Sequence, residues 1–272
     1  MRMLTDVSRG QWLIDRAGKW ATVSGVAGTG FEAYARILHP IPVSRWDEEN
    51  RRISEEATWS WKQVAERLGR RLHSRTEWME LTDGESLLNR PDADGWRIGQ
   101  SLEGWFDPEL LARLTVHLRE ATATPDDLTL AFWEGFAQFS GAVTYLTLTG
   151  DDGGAGRRDA LARLSPEFRE IYDSRIRMHY PGRDFLLAGS DLDELSDPAW
   201  PYAAGIGWSG GRFPGPSPQL IWPADHAWVV ASEIDWDFTI LAGPRELIDA
   251  VLADPVFEVF RAYPNRHPTE PR

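Results

Sequence analysis

The chain contains no cysteine, and only two of its 29 basic residues are lysine, Lys19 and Lys62. Without cysteine there can be no disulfide, thiolate zinc site, iron–sulfur cluster or cysteine nucleophile. No apolar run approaches the roughly 20 residues that a membrane helix needs. The first ten residues, Met-Arg-Met-Leu-Thr-Asp-Val-Ser-Arg-Gly, lack an apolar core of signal-peptide length, so the cytoplasm is the expected location. Basic charge is also scarce. Against 42 acids it leaves a net charge of −13, which argues against nucleic acid and against anionic membrane surfaces, since both require a basic face. A basic protein partner or a cation remains open, although solubility alone accounts for the charge. The near absence of lysine beside abundant alanine and glycine reads as the coding bias of a GC-rich genome and carries no functional weight.

What is present in excess is tryptophan, 14 residues. A buried indole removes a large apolar area from water and still needs a partner for its N–H. A rigid core is therefore a better reading of these residues than an aromatic binding platform. Length and patterning favour one α+β domain over residues 1–263, with a central, mostly antiparallel sheet flanked by helices, and a disordered tail at 264–272. The sheet is expected to contain Phe31–Leu38, Leu128–Trp133, Phe185–Ala188 and Ala227–Ile234. A further strand over Trp12–Val26 would pair with the first across the turn Gly25-Val-Ala-Gly28-Thr-Gly30. Helices are expected from Ser60, where Ser60 and Gln63 form a capping box, and from Asp107, Ser165, Pro244 and Pro255. Arg71–Leu102 reads as irregular and Thr149–Arg158 as a flexible loop. The expected core includes Trp61, Leu114, Trp133, Trp228, Val230 and Ile234.

The densest segment is the tryptophan-rich cassette Pro218–Asp249, in which an apolar strand runs into Glu233, Asp235 and Asp237. On a strand, Glu233 and Asp235 would share one face about 7 Å apart. That spacing suits a divalent cation or an acid/base pair separated by a water. The ordinary fate of such acids is to cap loop amides or to pair with arginines such as Arg36 and Arg183, and this is the favoured reading. Asp225 and His226 could add to an acidic site, and Trp222 and Trp228 could line it. No two of the six histidines stand at metal-ligand spacing, so no metal is expected, and no cofactor fingerprint is present. Gly207-Trp-Ser209-Gly-Gly211 matches a nucleophile elbow in its letters only, because the proline-rich residues that follow cannot start the helix the motif needs. The Gly25–Gly30 stretch lacks the Gly-Lys-Ser/Thr ending of a phosphate loop.

Three segments carry a resemblance: Phe31-Glu-Ala-Tyr-Ala-Arg-Ile-Leu-His39-Pro40, Leu130-Ala-Phe-Trp133-Glu134-Gly135, and Leu220-Ile-Trp222-Pro223-Ala-Asp225-His-Ala-Trp228 through Glu233-Ile-Asp235. In these the chain resembles a group of actinobacterial proteins of about this length that carries no assigned activity. The resemblance therefore brings no functional residue with it. His226 departs from that group, where arginine is expected and would pair with a nearby carboxylate. The expected function is an acidic cytoplasmic binding or interaction protein engaging a basic protein. The alternative is a hydrolase using Glu233 and Asp235, with or without a divalent cation.

Overall fold

The computed structural model describes residues 1–47, 49, 52–84, 90–136, 139, 165–206 and 215–269. Among these, the strands are β1 (Arg2–Leu4), β2 (Ala33–Leu38), β3 (Ile41–Asp47), β4 (Arg52–Trp59), β5 (Trp96–Ile98), β6 (Leu128–Trp133), β7 (Met178–Tyr180), β8 (Arg183–Ser190), β9 (Leu220–Pro223), β10 (Val229–Ser232), β11 (Phe238–Gly243) and β12 (Val259–Ala262). The α-helices are α1 (Gln11–Ile14), α2 (Val23–Ala27), α3 (Trp61–Arg67), α4 (Trp78–Leu81), α5 (Pro108–Glu120), α6 (Pro166–Ser174), α7 (Leu192–Leu195), α8 (Trp200–Ala203) and α9 (Arg245–Ala253). A 3₁₀ turn at Val7–Gly10 precedes α1.

Nine strands form one antiparallel sheet in the order β1-β8-β6-β9-β10-β11-β2-β12, with β7 paired to β8. A second sheet has the order β4-β3-β5. The fold is α+β with a central antiparallel sheet between helices, and all four expected strand regions lie in that sheet. One face packs Leu13, Val23, Tyr34, Trp61, Trp222 and Ile240; the other packs Leu114, Leu118, Phe132, Trp228, Val230 and Leu241. Both faces draw on residues from before and after the 149–158 loop, which itself lies outside the described residues.

Helix starts follow their caps. Ser60 accepts from the Gln63 amide while the Gln63 side chain accepts from the Ser60 amide. Asp107 caps α5 ahead of Pro108, and Ser165 caps α6 ahead of Pro166. These local hydrogen bonds are written into the sequence, which is why the helices begin where expected.

Five expectations need correction. Trp12–Val26 is not a strand. Thr22 accepts from the Gly25 amide and starts α2, whose five residues are all buried, so no alternation reveals the helix. No helix starts at Pro255. Asp254 accepts from the Val256 amide through its side chain and from the Phe257 amide through its carbonyl, and this turn feeds β12 onto β2. Arg71–Leu102 is not wholly irregular, since it contains α4 and β5. The tail is held over its described part: the Val23 amide donates to the Arg266 carbonyl (3.0 Å) and the Ser24 amide to the Pro264 carbonyl (2.8 Å). Finally, the strand expected over Ala227–Ile234 is only Val229–Ser232, which leaves Ile234 in a turn and half-buried, as Trp133 also is.

Candidate acidic site

Shortening β10 changes the geometry of the acids. Glu233 to Trp236 form the turn between β10 and β11, closed by the Trp236 amide on the Glu233 carbonyl at 3.0 Å. The turn is clamped from outside by Gly104, whose amide donates to the Trp236 carbonyl at 2.8 Å. Gly104 has φ +62, and a Cβ there would lie 2.6 Å from the Ile234 Cα. Glycine is therefore required both by conformation and by contact.

Glu233 and Asp235 do converge, but on a cation supplied by the chain. Arg183, at the start of β8, donates through Nη2 to Glu233 Oε1 at 2.5 Å and to Asp235 Oδ2 at 3.1 Å. Its guanidinium also lies 5.1 Å from the Trp20 ring centroid and 5.7 Å from that of Trp133. Side-chain exposure is 18% for Arg183, 11% for Glu233 and 74% for Asp235. Glu233 is thus the buried partner and Asp235 a solvated one. Burial raises the Glu233 carboxyl above the usual range, and the Arg183 charge opposes this without cancelling it.

Asp237 belongs to a different environment. Burial raises its carboxyl to about 6, against the pull of Arg36. Arg36 itself is buried and lowered to about 10 by that burial. Its guanidinium donates to the carbonyls of Ser74 (3.3 Å) and Thr76 (2.9 Å) and sits 4.3 Å from the Phe238 ring centroid.

Asp225 and His226 lie at the opposite end of β10 from Glu233, so the strand separates them from the Arg183 cluster. Burial opposes ionisation of Asp225, but the amides of Ala123 (2.6 Å) and Ala227 (3.1 Å) and the Thr122 hydroxyl (2.8 Å) hold its carboxyl below the usual range. These bonds tie the end of α5 to the loop before β10. His226 has φ +58, stacks on Trp12 at 4.1 Å, and is lowered by burial and then by Arg16. Trp222 and Trp228 are fully buried on opposite faces of the sheet and do not line a common surface. Trp222 meets Trp12 edge-on, and the Trp228 indole N–H donates to the Leu118 carbonyl at 3.1 Å.

Two features near Glu233 carried no sequence signal. The first is a narrow cavity lined by residues including Trp20, Tyr180, Arg183, Ser232 and Glu233. It offers only about 10 Å³ to the centre of a water-sized sphere, room for one water. Tyr180 Oη and Arg183 Nε are buried without a hydrogen-bond partner among the described residues, and burial raises the Tyr180 hydroxyl. The second is a buried polar chain. His39 Nδ1 meets the Leu102 carbonyl at 2.6 Å and Nε2 meets Thr239 Oγ1 at 2.9 Å, while Thr239 Oγ1 meets Ser232 Oγ at 2.7 Å. Burial lowers His39 to about 4, so the ring is neutral near pH 7. With Nδ1–H donating to the carbonyl, Nε2 is left to accept from Thr239. His39 reads in sequence only as the residue before a strand-stopping proline.

Among the described residues, no group of three or more His, Asp or Glu is arranged to hold a metal ion, and no helix is long and apolar enough to cross a membrane. The Gly207–Gly211 motif lies outside the described residues. No protein-family model, no curated protein and no solved structure matches the chain.

Proposed function

We propose that the protein is an acidic cytoplasmic binding or interaction protein that engages a basic protein partner. The observation that carries this reading is the pairing of Glu233 with Arg183 at 2.5 Å beside a space that admits one water. The acid best placed for chemistry already has its countercharge, and the cavity that described residues form beside it has room for one water. The net charge of −13 supplies the complementarity to a basic surface and would speed encounter with it.

The hydrolase reading draws on one specific feature, the raised Glu233 carboxyl, because general acids are tuned by burial in the same way. Burial raises structural carboxyls too, with Arg183 acting against the rise here. The test is recovery of partners from source-cell lysate at physiological salt, followed by reconstitution with the purified partner. Stoichiometric binding of a basic protein, weakened by added salt, is expected. Recovery of no partner, together with a melting temperature that rises with Mg²⁺ or Ca²⁺, would overturn the proposal in favour of the hydrolase.

A further inference from the structure

Among the described residues, β4 pairs only with β3, and none of them pairs with its outer edge. Its first five residues are exposed, and Ile53 is 49% exposed. The register shows which backbone groups that edge presents. Pro42 has no N–H, and its carbonyl accepts from the Gly99 amide at 2.9 Å, so Pro42 faces the β5 side. Antiparallel alternation then turns Ile41 and Val43 toward β4. With Pro42 opposite Thr58 and Ser44 opposite Glu56, the N–H and C=O of Thr58 and Glu56 point away from β3. A row of unpaired groups of this kind is a template for strand addition. The irregularity between Arg45 and Trp46 confines the straight part of the edge to Glu55–Trp59.

Charge selects the occupant. A second copy laid antiparallel on β4 must set outward-facing residues opposite one another, and centred on Glu56 it would put Glu56 of one copy opposite Glu56 of the other. Like charges directly opposite destabilise a strand pair, and each copy brings the same net charge of −13. A lysine- or arginine-bearing strand places cations beside those carboxylates instead. We infer that β4 is the docking edge for a basic, extended segment of the partner, added as a fourth strand of the small sheet. The inference rests on the proposed function and specifies where its partner binds.

The test uses two synthetic peptides, Lys-Val-Lys-Val-Lys-Val and its glutamate counterpart. Binding is read by fluorescence anisotropy, and hydrogen exchange reports the site. The lysine peptide should bind and slow exchange at the Glu56 and Thr58 amides by about tenfold or more, as strand addition requires; the glutamate peptide should not. Thr58→Pro removes an outward donor that β3 does not use, a position where an edge strand tolerates proline. It should weaken the lysine peptide by about tenfold with the melting temperature retained. Glu56→Lys should do the same by charge alone, and serves if the proline variant fails to fold. Lysine-peptide binding that leaves the β4 amides unprotected, or that both variants retain, would overturn the inference. So would a concentration-dependent dimer lost in Thr58→Pro, which would make a second copy the occupant. A basic partner from lysate held equally by wild type and Thr58→Pro would overturn this docking edge while leaving the proposed function standing.

Discussion

Replacing Arg183 by Met isolates the charge at the centre of the acidic turn, because the new side chain still packs on Trp20 and Trp133 while the cation is gone. Glu233, with 11% of its side chain exposed, would then lack its countercharge. Breaking a fully buried pair costs about 3–5 kcal/mol; with Arg183 18% exposed, about 2–3 kcal/mol is expected. Asp235 contributes little to this figure, since it is 74% exposed and solvent screens it. Glu233→Gln alone should cost about 1 kcal/mol or less, because Arg183 keeps Asp235, two aromatic faces and some water. The double variant should recover most of the Arg183→Met loss, a coupling of about 2 kcal/mol. Urea denaturation of the four proteins at pH 7.5 and pH 5 measures this directly. The Arg183→Met deficit should shrink at pH 5, since a carboxyl already held above the usual range, and raised further by loss of the arginine, takes up a proton there. Strictly additive losses that do not change with pH would refute the reasoning and reduce the pair to an incidental contact.

Asp237 gives a second pH signature. Its folded value of about 6 lies above the ordinary 3.8, so the folded state binds more protons between those values and stability falls as pH rises through that window, by up to about 3 kcal/mol. Asp237→Asn should flatten that slope and be at least as stable as wild type at pH 7, read from urea midpoints; an unchanged slope would contradict the assignment. Gly104→Ala should cost at least about 1–3 kcal/mol, because it strains a positive φ and drives Cβ into the Ile234 backbone; a melting temperature within error of wild type would show that the clamp is dispensable. His39, lowered to about 4 by burial, must take up a proton it cannot accommodate when the chain unfolds in acid. His39→Gln should therefore reduce the loss of stability as pH falls from about 6 to 4, measured relative to pH 7.

How much of this was legible in sequence depended on where each signal is stored. Caps are local, so Ser60, Asp107 and Ser165 mark their helices directly. Leu128–Trp133 was legible as a strand because a short apolar run with β-branched and aromatic residues has few other uses. The central sheet is buried on both faces, so its strands do not alternate. Phe238–Gly243 consequently reads as one apolar stretch with no edge to find, and the start of the β10–β11 turn reads as more strand. That error placed Glu233 and Asp235 on one strand face, whereas they meet by turn geometry. The sequence points to capping of loop amides or pairing with arginines such as Arg36 and Arg183, because a half-buried carboxylate has few stable alternatives. The small β4-β3-β5 sheet was missed because β4 is exposed on most of its length and offers no apolar period. The His39–Thr239–Ser232 chain joins residues 200 positions apart, and no local pattern encodes it.

Arg183 neutralises Glu233 and Asp235 from within the chain. The most direct test is the melting temperature of wild type and Glu233→Gln titrated with Mg²⁺ and Ca²⁺ at pH 7.5. With Arg183 holding Glu233, neither protein should respond to either cation beyond the effect of ionic strength. A wild-type melting temperature that climbs with either cation, while Glu233→Gln does not respond, would contradict the account and make a cation-dependent carboxylate site the better explanation.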